Sequence, residues 1–228
     1  MHPLDGAYER VNRAREHLAD LKQRADTFCQ NKRDSVVIQR KPATFRLADG
    51  REVKGVLGSA TVPVSPLPPI IGILVGETVY NLRASLDYLV YELARFDAGK
   101  VIEMTQFPIE DTESGFKGKR NSYLKGISEK HVESIQKLQP CAGCRWTQRL
   151  REISNPDKHR HLVTGASPVI ISPSSGSTEA IMSGQTANVK NDVVVQITFN
   201  DRTPVVETLE QLLSEVAKTL DTFKPEFK

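Results

Sequence analysis

Tryptophan occurs once and cysteine three times in this 228-residue chain, and aromatic residues make up only 6% of it. Three sparse cysteines, Cys29, Cys141 and Cys144, cannot pair into the framework of a small secreted scaffold, and they fit a reducing compartment. No apolar run reaches membrane length: the longest, around residues 70–75, is far short of the ~20 residues a spanning helix needs. The N-terminal stretch MHPLDGAYERVNRAREHL has charges where a signal peptide requires an apolar core, so a cytoplasmic protein is expected. A G-x-S-x-G elbow is missing, and Gly72, Gly76 and their surroundings form no phosphate-binding loop. Disorder is not the expectation either, because 39% hydrophobic and 26% charged residues suit an ordinary globular core.

Charge is present but unevenly placed. The net charge is +3, yet residues 117–161 hold eleven Lys/Arg against four Asp/Glu, which makes that stretch +7 and the remainder −4. Three of the five histidines, His131, His159 and His161, fall in it too. Such a stretch is either a solvated basic face or a field that attracts an anionic partner such as RNA or a nucleotide.

Leu4, Ala7, Val11, Ala14, Leu18, Leu21, Ala25 and Phe28 alternate spacings of three and four, which predicts one long helix with a narrow apolar seam. Val206, Leu209, Leu213, Val216, Leu220 and Phe223 repeat that spacing behind a Thr203 cap and Pro204. Two matching seams pack on each other or on a second subunit, so a homodimer is one expectation. Between them, residues 35–39 and 43–47 read as extended, and Asp49-Gly50 reads as a hairpin turn into Val53, Gly55 and Leu57. The proline-rich stretch 62–69 is a stiff connector into a helix opening near Ile70. Ser128 caps a helix running to Gln139, and Trp146, Leu150 and Ile153 give the next helix a core stripe that stops at Asn155-Pro156. Residues 169–171, 180–182 and 193–199 are strand candidates. The sum is one α+β domain over residues 1–228: a central bundle of about five helices, near 4–29, 71–96, 129–139, 145–154 and 204–223, flanked by short antiparallel strands. Within it, a long helix and hairpin (1–62) lead through the connector (62–69) to a helical core (70–161), then to strands and a last helix (162–228).

The chemistry concentrates in two strings. Asn81, Arg83 and Asp87 lie inside an otherwise apolar helix, where ionic side chains persist only if paired, hydrogen-bonded or used. Arg83 and Asp87 are four apart and share a face, which allows an ion pair. Glu77, Asn81 and Tyr88 line a neighbouring face. The second string is Asn155-Pro156-Asp157-Lys158-His159-Arg160-His161. Two readings compete. In one, Arg83–Asp87 is a structural pair completed by Asp157 or Arg160; in the other, Arg83, Lys158 and Arg160 hold a phosphate and His159 moves a proton.

Residues 76–88 (GETVYNLRASLDY), with Gln106-Phe107-Pro108-Ile109, Leu138-Gln139-Pro140 and residues 155–160, resemble a widespread family of uncharacterised bacterial proteins that carries N-L-R-S-A-L-D-H and N-x-D-K-H-R strings. The likeness covers roughly residues 71–162. The spacing from Arg to His in that family is similar to that of the HEPN ribonucleases, helical proteins that cleave RNA without metal and are commonly dimeric. The resemblance implies an RNA- or nucleotide-directed protein of bacterial stress or defence systems, with Arg83 and His159 as catalytic candidates and no cofactor. Tyr80 and Tyr88 stand where the family has His. A phenol is a poor base near neutral pH, so the sequence points to binding ahead of cleavage unless His159 supplies the base. The alternative is a non-catalytic dimeric scaffold whose ion network is structural.

Cys141-x-x-Cys144 with His159 and His161 has the ligand types of a zinc site but not the usual spacing, and a plain loop pair of cysteines is expected instead of a metal centre.

Overall fold

The computed structural model describes residues 2–46, 49–61, 66–159, 170–171 and 193–227. These form an α+β protein that divides into two compact units, one built from residues 1–22, 69–163 and 205–228 and the other from residues 23–68 and 164–204.

The first unit is a helical bundle around α2 (Pro69–Ala98), and Pro69 takes the first-turn position where its missing N–H costs nothing. Ile71, Leu74, Val75, Val79, Leu82, Leu86, Leu89, Val90 and Leu93 of α2 are all buried, each worth about 1.5–3 kcal/mol relative to exposure. Against it pack α5 (Arg145–His159) and α6 (Val205–Phe223). The start of α1 (Asp5–Asp34) runs beside α6, since Tyr8 donates to Asp221 at 2.6 Å and Lys22 meets Glu210 at 3.0 Å, the pattern of an antiparallel pair. Both helices bury an apolar stripe within the single chain. Leu4, Ala7, Val11, Ala14, Leu18 and Leu21 are buried as the spacing predicts. On α6 the buried set is Val205, Leu209, Leu212, Val216, Leu220 and Phe223, so Val205 and Leu212 replace the expected Val206 and Leu213. A true helix advances 3.6 residues per turn and drifts off a rigid three-four count.

Two short helices complete this unit: α3 (Glu113–Tyr123), which the sequence reading missed, and α4 (Glu129–Gln136). Helix α3 is capped by Thr112, whose hydroxyl accepts from the Gly115 N–H at 3.1 Å, but it buries only Phe116, so its apolar periodicity is faint. Helix α4 ends at Gln136, short of the expected Gln139. Conversely, α5 runs through Asn155-Pro156 to His159. A proline forfeits one bond to the carbonyl four residues back while its ring already holds a helical φ, so one proline near the end of α5 does not stop it. Trp146 is only half-buried, and the buried face of α5 is Thr147, Leu150, Ile153 and Ser154.

The second unit holds the end of α1 and an antiparallel ribbon of β1 (Val37–Arg46) and β2 (Glu52–Thr61). The stretches read as two extended pieces are one strand. Pro42 sits inside β1 opposite Val56, tolerated because β1 is bonded on one side only. The turn is the expected Asp49-Gly50: Asp49 accepts from the Arg51 N–H at 3.0 Å, and Gly50 takes φ 85°, open to glycine. Residues 170–171 (β3) pair with 193–194 (β4). The strand expected at 180–182 lies outside the described residues.

Candidate functional site

Arg83 and Asp87 do share a face of α2, but their direct contact is loose at 4.0 Å. What joins them is the backbone of Phe107. The Phe107 N–H donates to Asp87 Oδ1 at 2.9 Å, and Arg83 Nη2 donates to the Phe107 carbonyl. The pair therefore imitates a neighbouring strand, satisfying both backbone groups of a residue that is wholly buried in an irregular segment. The same treatment continues down the chain. The Glu110 N–H donates to Gln139 Oε1 at 3.1 Å, Arg151 Nη1 reaches the Ile109 carbonyl at 3.3 Å, and Arg151 Nη2 grips both oxygens of Asp111 at 2.7 and 2.6 Å. Three of the strings singled out in the sequence, 76–88, 106–109 and 138–140, meet here because side chains from two of them hold the backbone of residues 107–110.

Burial pushes the Arg83 guanidinium below its usual range, and the Asp87 carboxylate acts in the opposite direction. Its Nη1 is buried and has no hydrogen-bond partner among the described residues. Arg83 also forms one wall of an open cavity of ≈ 220 Å³ lined by Val79, Tyr80, Ala84, Asp87, Tyr88 and Ser154. Tyr80 and Tyr88, two turns apart on α2, are 56% and 41% exposed, so both rings are available at its rim.

Asn81 does not stand in this cavity. It is buried, its Nδ2 donates to the Glu77 carbonyl at 2.8 Å, and its Oδ1 accepts from Arg10 Nη1 at 3.3 Å. Arg10 is the residue the sequence reading overlooked. From α1 its guanidinium lies 5.5 Å from the centre of the Tyr88 ring, and a hydrogen bond with Tyr88 raises its pKa further. Its signal was faint: one arginine among many on an exposed helix face. The approach of the two helices is tight, since a Cβ at Gly6 would come within 3.1 Å of the Tyr88 ring.

Ser154, the residue just before the second string, lines the cavity. Asn155, Asp157, Lys158 and His159 continue α5, but their side chains lie outside the described residues, as do Arg160 and His161 altogether. The contact expected between this string and Arg83 falls there. The partner identified for Arg83–Asp87 is the Phe107 backbone. Cys141 and Cys144 are free thiols around the 3-10 turn Pro140–Ala142, with the Cys141 thiol pushed up by burial; their supposed partners, His159 and His161, are among the side chains not described.

Five of the eleven basic residues of the stretch are paired among the described residues: Lys117 with Glu113, Arg120 with Glu129, Lys130 with Glu226, Arg149 with Glu152 and Arg151 with Asp111; three of these acids, Glu113, Glu226 and Asp111, lie outside it and reduce its field. Among the described residues no helix is long and apolar enough to cross a membrane. No protein-family model, no characterised protein and no solved structure matches the chain.

Proposed function

We propose that the protein binds single-stranded RNA or a nucleotide at the Tyr80–Tyr88 face of α2, without cutting it. The observation that carries this reading is the pair of exposed tyrosines at the rim of a cavity that also contains Arg83. Exposed rings offer bases a stacking surface worth about 1–3 kcal/mol each, and guanidiniums beside them answer the phosphates. Arg10 orders one ring and adds charge. Arg83 is committed to Phe107 through Nη2 and its Nη1 is buried, so it lends the cavity positive charge and not an open donor. A HEPN-like relationship, a cytoplasmic setting, a role in stress or defence and a homodimeric state belong to the same proposal and rest on the sequence resemblance.

Catalysis would require His159 to act as base with Arg83 steadying the charge on phosphorus. The test is a labelled single-stranded RNA panel in EDTA, read by anisotropy and by gel. Binding that weakens steeply with salt, is lost in Tyr80→Ala and Tyr88→Ala and leaves the RNA intact supports the reading. Absence of binding at low salt refutes it. Cleavage that His159→Ala abolishes while retaining binding would convert the binder into a nuclease.

A second reading has its own support. The Arg83–Asp87 grip on Phe107 is what an architectural ion network does, and it favours the scaffold alternative for those two residues. Retention of RNA affinity in both tyrosine variants would favour it for the whole site.

A further inference from the structure

A second cavity, of ≈ 340 Å³, opens in the same unit between α4 and α6, where polar residues that no sequence motif announced share the lining with Leu138 and Phe223. Its floor is His131, whose side chain is 5% exposed. The Nδ1 of His131 is held by Asp97 Oδ2 at 2.7 Å and lies 3.1 Å from Ser128 Oγ. Because both partners use one ring nitrogen, this is no catalytic triad, and Nε2 is left over. Nε2 is buried and has no hydrogen-bond partner among the described residues. The nearest charge is Glu226 Oε2, 3.5 Å away, long for a good hydrogen bond.

Glu226 belongs to a 3-10 turn, Lys224–Phe227, that follows α6 directly, and Lys130 holds its carboxylate at 2.5 Å. It is the one acid among the lining residues, which also include Lys137 and Lys218. Lys218 is also bound to Glu215 at 3.0 Å. The hydroxyls of Ser134, Thr219 and Thr222 donate to the carbonyls of Lys130, Glu215 and Lys218, so towards the cavity they present lone pairs. Hydrogen-bond donation into the cavity therefore falls to lysines, joined by His131 Nε2 when the ring is doubly protonated, and the chain itself places a carboxylate, Glu226, beside them. Consistent with this, Lys130 and His131 keep the Glu226 carboxyl below its usual range.

We propose that this cavity is a binding site for a small oxyanion, a phosphate or carboxylate group, with Glu226 as its tethered occupant that the ligand displaces. A tethered group competes at high effective concentration, so the free ligand sees only the fraction of molecules in which Glu226 has swung away. Removing that competitor raises affinity without adding a contact.

The test titrates inorganic phosphate, and separately acetate, into wild type, Glu226→Gln and Lys137→Gln, with chloride at equal ionic strength as the blank. Ring-nitrogen NMR of His131 reports occupancy, calorimetry reports affinity, and circular dichroism confirms that each variant folds. The expected result is a shift of the His131 Nε2 resonance on addition of either anion, an affinity at least ~10-fold tighter in Glu226→Gln and a weaker one in Lys137→Gln. Whichever anion binds tighter names the ligand's acid group. Equal affinities in wild type and Glu226→Gln, or binding without any His131 shift, overturns the proposal. The tyrosine face is untouched by these variants, so failure here says nothing of RNA binding there.

Discussion

Helix α2 carries two polar anchors, and they do different work. Near its middle, Arg83 and Asp87 hold the backbone of an irregular segment. At its end, Asp97 holds the start of another helix, accepting from the Ser128 N–H at 2.8 Å and gripping the His131 ring that packs one turn later. Each leaves one buried nitrogen without a partner among the described residues, Arg83 Nη1 in the first and His131 Nε2 in the second, and each of these residues lines a cavity. The anchors differ in what they hold: the first fixes the backbone of an irregular segment, the second a side-chain ring, so a buried ionic group in an apolar helix is no announcement of function by itself.

A large effect, on the scale of a core deletion, is expected from breaking the first anchor. Asp87→Ala strands the nearly buried Arg83 and frees the Phe107 N–H, and should cost roughly 3 kcal/mol in urea unfolding; a loss under half that would mean the guanidinium finds water instead. Leu86→Ala, buried beside it, sets the apolar scale at about 2–5 kcal/mol and should not alter RNA binding if the variant is folded. Asp97→Asn keeps a hydrogen-bond acceptor, so about 1–2 kcal/mol is expected, with the His131 ring resonances moving strongly. Tyr80→Ala should change melting hardly at all, because its ring is more than half exposed, yet weaken single-stranded RNA by about 1–3 kcal/mol. A melting loss as large as that of Leu86→Ala would place Tyr80 in the core.

The smallest effect is a pH dependence at the second anchor. The folded-state pKa of Glu226 is depressed, chiefly by its hydrogen bond to Lys130, so its contribution is present above the ordinary carboxyl range and is lost as pH falls through the folded value. Wild type should therefore lose slightly more melting temperature than Glu226→Gln on going from neutral to strongly acid solution. Parallel curves would show that the Lys130 contact is spent on solvent.

Much of the fold was legible because it obeys simple periods. The seam of α1, the Asp49-Gly50 hairpin and the helix beginning at Pro69 followed from spacing, turn chemistry and proline geometry. Polar groups in α2 marked the right helix. Their partner was illegible, since Phe107 takes part through its backbone and a backbone N–H looks alike at every position. Asn81 was read as facing the site, yet its short amide turns inward to Glu77 and Arg10. His131 was counted as one more charge in a basic run; its role depends on Asp97, thirty-four residues earlier, and on Glu226, far along the chain. Long-range pairings of single residues leave no periodic trace.

The grip on Phe107 also sets a clock. An amide in an irregular segment ordinarily exchanges its hydrogen for deuterium quickly, because solvent reaches it without any helix or strand having to open. The Phe107 N–H lies on a buried residue and points at a carboxylate, so it should exchange as slowly as an amide of α2 itself. Its lifetime measures how often helix and segment part company, and in Asp87→Ala that lifetime should fall further than those of the Leu86 and Leu89 amides, which shorten only with the loss of global stability.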